Sequence, residues 1–390
     1  MQVRRIAVVS VFMAGILFLV SAVQGGIVPE GDTISPPRIE AVFVLDTTGS
    51  MSGLINAAQE KIWAISSTLC QAEPAPEIGI GLVGYRDRGD QYITRLTPLS
   101  PDLDRVYADL MEFKAGGGGD GPESVNQALY EAVTGINWST DKSTYRVIFL
   151  VGDCPPHMDY QNDVRYPETC LLAGKKGIVI NTIQCGTHTP TTPIWKEIAS
   201  LAGGEFFRVG QSGSAVLTST PYDEKLASLS LDLDATRIFY GDATVRADQE
   251  KRKSVAEEIY SLVSDSAAAQ RAVFNASLSG KDNLLGSNEL VDDVVSGEVE
   301  LSSIKEEDLP ADLLKMKPTE RTAYIEEQSR KRDSLQKEIR LFSEKRQNHI
   351  RDEVKKFAQG GKETLDHQIY QAIRKQGAAK NISYKKGPVY

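Results

Sequence analysis

Two short runs, Ala41-Val42-Phe43-Val44-Leu45 and Val147-Ile148-Phe149-Leu150-Val151, are apolar at every position, and they restrict the fold more than any other feature. A strand with one wet face alternates apolar and polar residues. A strand without alternation has both faces covered, as in the centre of a parallel sheet flanked by helices. Further strands are expected at Ile78 to Tyr85, Tyr92 to Leu96, Ile178 to Gln184 and Glu205 to Val209, with the first two running over Ile39 to Leu45 and Tyr145 to Val151. Helical patterns fall between them, at Gly53 to Cys70, Asp102 to Phe113, Glu123 to Gly135, Val164 to Ala173 and Thr192 to Ala202. This alternation predicts an α/β, doubly wound, mostly parallel six-stranded sheet over about residues 38–212.

With 390 residues, the chain has mass for a second unit. Residues 213–246 read as a linker and 247–390 as a mainly α-helical C-terminal region, with one long helix over Ala247 to Ala276 and a short one at Leu309 to Met316. A charge-rich helix is expected from Pro318 to about Phe357, where Leu335, Ile339, Phe342, Ile350, Val354 and Phe357 share a face. That stripe suits either packing against the same chain or a coiled-coil segment over 318–358 through which copies self-associate. Gly360-Gly361 ends the helix, and a basic tail with Lys375, Lys380, Lys385 and Lys386 follows.

Arg4 and Arg5 precede an apolar stretch from Ile6 to Val20, and small residues follow it. The pattern is that of a signal peptide over about residues 1–24, which implies an exported protein, periplasmic or extracellular; an uncleaved anchor is the alternative. A net charge of -9 argues against nucleic acid as a general partner. Cys70, Cys154, Cys170 and Cys185 lack zinc-site spacing and permit two disulfides in three pairings. The pair Cys154–Cys185 is favoured, because each follows a strand and the two strands should be neighbours; buried free thiols are the alternative.

The chemistry-bearing residues sit after strands. Asp46-Thr47-Thr48-Gly49-Ser50-Met51 places a carboxylate and two hydroxyls at alternate positions of one loop. A second loop reads Gly116-Gly117-Gly118-Gly119-Asp120-Gly121-Pro122-Glu123, and a third Gly152-Asp153-Cys154-Pro155-Pro156-His157. Ligands of open parallel sheets bind beyond the carboxyl ends of strands, where strand order reverses. If the two apolar strands are neighbours, Asp46 and Asp153 face each other there, and a divalent cation would supply the missing positive charge. Oxygen donors favour Mg2+, Mn2+ or Ca2+, with Mg2+ expected.

The three motifs, in this order and on these loops, resemble the metal-ion-dependent adhesion site of von Willebrand factor type A (VWA) domains. DxTxS stands here where the family has DxSxS. The resemblance implies Asp46, Thr48, Ser50 and Asp153 as metal ligands. The second loop resembles the DSPE-type loop of integrin beta subunits, which makes Glu123 the ligand and places Asp120 in a neighbouring site or behind the ligands. Gly53 and Leu54 stand where integrins carry an acidic pair. LPADLLKMKPTERTAYIEEQSRKRDSLQKEI resembles, more loosely, the tails of exported bacterial VWA proteins. The family implies capture of a protein partner through an acidic side chain that completes the cation's shell. The main alternative is a structural envelope protein whose tail oligomerises.

No catalytic residue, small-molecule substrate or enzyme activity is expected, because no nucleophile motif, phosphate loop or paired histidines appear. Arg88-Gly89-Asp90 spells an integrin-recognition tripeptide in a turn between two strands, read as a chance occurrence. His157 is read as packing its loop, and Asp87 as a solvated turn residue.

Overall fold

The computed structural model describes residues 36–119, 121–209, 219–358, 364–385 and 387, without the side chains of 354–358. The expected signal peptide, Asp120 and Gly360-Gly361 lie outside these residues. So do the side chains of Val354 and Phe357.

Six strands form one sheet in the order β3-β2-β1-β4-β5-β6. They are β1 (Arg38–Asp46), β2 (Glu77–Tyr85), β3 (Thr94–Ser100), β4 (Tyr145–Gly152), β5 (Ile178–Cys185) and β6 (Phe206–Val209). All neighbours are parallel except β2 and β3. The two wholly apolar runs are β1 and β4, adjacent and in register from Ile39 opposite Tyr145 to Leu45 opposite Val151. Pro98 lies in β3, the antiparallel edge strand, where a missing N–H leaves no ladder bond unmade.

The side chains of β1 divide between two cores. Ile39, Ala41, Phe43 and Leu45 face one layer, and Val42 and Val44 the other. The first layer contains α1 (Ile55–Leu69) and α2 (Leu103–Glu112), with Phe43 stacked on Phe149 at 5.3 Å between ring centres. The second contains α3 (Val125–Thr134), α4 (Tyr166–Lys175) and α5 (Thr191–Leu201).

Beyond β6 the chain is helical: α6 (Asp223–Asp234), α7 (Ala243–Leu262), α8 (Asp265–Asn275), α9 (Lys281–Leu285), α10 (Leu290–Ser296), α11 (Ala311–Leu314), α12 (Pro318–Ala358) and α13 (Leu365–Ala378). Two expectations are corrected here. Residues 213–246 are not all linker, because α6 lies within them and buries Leu226, Leu229 and Leu233. The single helix over Ala247 to Ala276 is two. Val263 is extended, and the Ser264 side chain accepts a hydrogen bond from Ala267 N, so a capped helix begins anew. The apolar stripe of α12 is used within the chain, the first of its two expected uses. Leu335 and Ile339 are buried in one cluster with residues of α6 and α8, and Phe342 packs against it.

These helices do not stand apart from the sheet; residues 36–390 form one compact unit. Leu365, Ile369, Tyr370, Ala372 and Ile373 of α13 join the core of α1 and the sheet. Gln376 accepts from Tyr145 Oη at 2.6 Å and exchanges two hydrogen bonds with Asn181, so α13 is tied to β4 and β5. Arg271 of α8 is buried between Asp104 of α2 and Asp234 of α6, at 2.6 and 2.7 Å. Asn283 of α9 accepts from Leu103 N at the start of α2. No helix among the described residues is long and apolar enough to cross a membrane.

The four cysteines are free thiols, so the expected Cys154–Cys185 disulfide is not formed. Cys185 is buried in the core with α1 and Cys170 in the opposite layer, its thiol directed at Ile198 O, while Cys154 remains in the loop after β4.

Candidate metal centre and its three loops

The order of strands reverses between β1 and β4, and both end on the loops that carry the expected ligands. The Asp46 carboxylate is fully buried. Its Oδ1 accepts from Thr48 N at 2.9 Å and Thr48 Oγ1 at 2.6 Å. Thr48 Oγ1 lies 2.9 Å from Ser50 Oγ, which donates to Asp153 Oδ1 at 2.9 Å. A ladder of oxygens, Asp46 to Thr48 to Ser50 to Asp153, therefore spans from β1 to β4.

Backbone bonds fasten the second loop to both others. Gly49 N donates to Gly117 O and Gly116 N to Thr47 O, each at 3.0 Å. Glu123 N donates to Pro155 O at 2.9 Å, and His157 N donates to Glu123 O at 3.0 Å. Glu123 is thus held between the second and third loops with its side chain buried. Thr191 Oγ1 donates to Asp153 O at 2.8 Å, which steadies the loop after β4 from α5.

Two carboxylate oxygens, Asp46 Oδ2 and Glu123 Oε2, are buried without a hydrogen-bond partner among the described residues. Uncompensated burial of a carboxylate is costly, and the protonated form gains as a result. Burial first, then the Asp153 charge, pushes the Asp46 carboxyl up to about 7. For Glu123, burial and then Asp46, Asp87, Asp90 and Asp153 push it to about 9. Tyr85 Oη is also buried and unpartnered, and is raised by burial and then by Asp46, Asp153 and Glu123. Gly152 makes this packing possible, since a Cβ there would meet Tyr85 Oη at 2.5 Å and Asp46 Cβ at 2.7 Å.

Among the described residues, no three His, Cys, Asp or Glu side chains converge as a metal cluster. The donor set is mixed, with two hydroxyls separating the carboxylates. Asp46, Thr48, Ser50, Glu123 and Asp153 nevertheless fit a hard cation: all offer oxygen, and the two orphaned oxygens lack only a positive partner. Asp120 lies outside the described residues.

On the rim, one expectation is corrected and one holds: Asp87 is not solvated, and His157 packs its loop. Asp87 is buried; it accepts from Ser124 Oγ at 2.9 Å and Tyr160 Oη at 2.9 Å, so it is not a solvated turn group. His157 stacks on Tyr160 at 4.0 Å between ring centres and bonds Asp159 through Nδ1. Tyr85 carries no signal beyond its place at the end of β2, and Asp90 none beyond the Arg88-Gly89-Asp90 tripeptide read as chance.

Residues 40–211 match the sequence model of the von Willebrand factor A domain family. The chain contains a VWA domain. This chain is 20% identical over 210 residues to an ariadne-like RING finger protein of Acanthamoeba polyphaga mimivirus, covering 50% of this chain and 20% of that protein. It spans about a fifth of that relative's length. Among solved structures, proximal thread matrix protein 1 from the mussel byssus, with a zinc-occupied MIDAS motif, is 15% identical over 45% of this chain and 42% of its own, at a TM-score of 0.36. The SpRpn10 VWA domain is 14% identical over 47% of this chain and 96% of its own, also at 0.36.

Proposed function

We propose that the VWA domain binds one divalent cation through Asp46, Thr48, Ser50, Glu123 and Asp153 and uses it to capture an acidic side chain of a protein partner, without chemistry on that partner. The orphaned, buried oxygens of Asp46 and Glu123 carry this reading. Hard oxygen donors select Mg2+, Mn2+ or Ca2+, Mg2+ foremost. When bound, the ion supplies a positive charge and an open coordination position.

The chain's own residues do the rest. Thr48 and Ser50 can turn their hydroxyl lone pairs outward by giving up the bonds to Asp46 and Asp153. Glu123, as a third carboxylate, adds negative charge and so favours retention of the ion in the absence of a partner. Export, on the strength of the basic and apolar N-terminal pattern, would place this activity in the periplasm or outside the cell.

The test is calorimetric titration of Mg2+, Mn2+ and Ca2+ into the protein and into Asp46→Ala, followed by partner capture from envelope extracts with and without chelator. Binding by the wild type and its loss in Asp46→Ala is the expected result. No response of the wild type to any of the three ions overturns the site, and capture that survives chelation overturns the mechanism.

A further inference from the structure

The turn between β2 and β3 reaches across to the other two loops, and we propose that Asp90 within it is a positioning residue that sets the cation affinity of the site. This rests on the metal-binding reading above and deepens it.

Asp90 Oδ2 accepts from Asp87 N at 3.1 Å, which closes the turn, and from Gly118 N at 2.8 Å, which seizes the glycine loop. Gly117 and Gly118 both take positive φ, +75° and +74°. A Cβ on Gly117 would lie 2.4 Å from the Asp90 carboxylate. One residue on, a Cβ on Gly118 would lie 3.0 Å from Glu123 Oε1 and 3.4 Å from Thr48 Cβ. Asp90, the Gly117-Gly118 backbone and the two ligands Thr48 and Glu123 are therefore in continuous contact. Four consecutive glycines are the most freely moving backbone a chain can have. The hydrogen bond that Asp90 accepts from the third of them fixes the wall against which Glu123 rests.

The same turn grips the third loop. Arg88 pairs with Asp163 at 2.5 Å and lies 4.0 Å over the ring of Tyr160, whose hydroxyl donates to Asp87. Asp87 in turn accepts from Ser124, the residue after Glu123. Arg88-Gly89-Asp90 therefore spends both its charges inside the molecule. It clasps the ligand loops; the geometry does not present it as a recognition tripeptide.

Outer groups that orient metal ligands change affinity by about 10- to 100-fold when removed. Titration of Mg2+ and Mn2+ into the whole chain should give Asp90→Ala a dissociation constant raised about 10-fold or more, with the melting temperature of the metal-free protein little changed. Asp90→Asn keeps an acceptor oxygen and should stay near the wild type. Gly117→Ala pushes a methyl into the same carboxylate and should reproduce the loss by a separate route. Wild-type affinity in both Asp90→Ala and Gly117→Ala overturns the clasp but leaves the metal site standing. Equal loss in Asp90→Asn also overturns it, since charge and not the bond would then be at work. A wild-type chain that binds neither ion overturns the site itself, and the clasp with it.

Discussion

Lys61 on α1 and Asp366 on α13 form a buried ion pair between residues 305 positions apart, each about 7% exposed or less. The pair joins the first helix of the VWA domain to a helix of the C-terminal region. Removing one member of a buried pair strands the other, at a cost of about 3–5 kcal/mol, whereas replacing both by apolar groups is near neutral. Asp366→Leu should lower the denaturant midpoint accordingly, and Lys61→Met with Asp366→Leu should recover most of the loss. Equal destabilisation by the single and double variants would show that the pair is not coupled.

A second prediction concerns protons at the metal centre. Because burial and then Asp153 raise Asp46 to about 7, and burial with four nearby acids raises Glu123 to about 9, the site holds protons that an ion must displace. Mg2+ affinity should rise at least about tenfold between pH 6 and pH 8, with proton release detectable in buffers of different ionisation enthalpy. For the metal-free protein the sign is opposite. Carboxyls raised in the folded state favour folding at low pH, and that contribution is lost as pH rises through 7 and 9. Metal-free protein should therefore melt lower at pH 8.5 than at pH 6, and Asp46→Asn should flatten the difference.

Arg271 gives the reverse dependence in the helical region. Burial pushes the Asp104 carboxyl up, but the Arg271 charge and its hydrogen bonds outweigh burial and hold it below the ordinary range. A depressed carboxyl stabilises the fold above its unfolded value, near 4, and that contribution disappears as pH falls through the lower folded value. Arg271→Met should cost about 3–5 kcal/mol at pH 7, because Asp104 and Asp234 are left buried together. The deficit should shrink below pH 4, as thermal melts across pH will show.

Gly152→Ala tests the packing beneath the site. The added methyl would meet Tyr85 Oη and Asp46 Cβ at 2.5 and 2.7 Å, and overpacking of this kind costs about 1–3 kcal/mol. Displaced Asp46 should also bind Mg2+ more weakly. A variant with wild-type melting and wild-type affinity would contradict the packing.

The sheet was legible because β1 and β4 each carry an unbroken five-residue apolar run and the loops after them carry motif residues. Helices α6 and α13 were not. The turn-rich stretch before Asp223 hides one, and a double glycine and basic residues flank the short Leu365, Ile369 and Ile373 repeat that marks the other. The ligand candidates could be read from three short motifs, but the clasp could not, since Asp90 acts through a backbone N–H that any residue carries. Ser264 was a visible capping signal within an otherwise continuous helical pattern.

Tyr145 of β4 waits for Gln376, 231 residues further along, and Glu73 for Ser383, 310 further. During synthesis the layer under α13 is left bare while all the intervening helices are made. Such long-range closure slows folding and exposes apolar surface to other chains. Until α13 has emerged, the apolar residues it covers on the first layer have no roof from this chain.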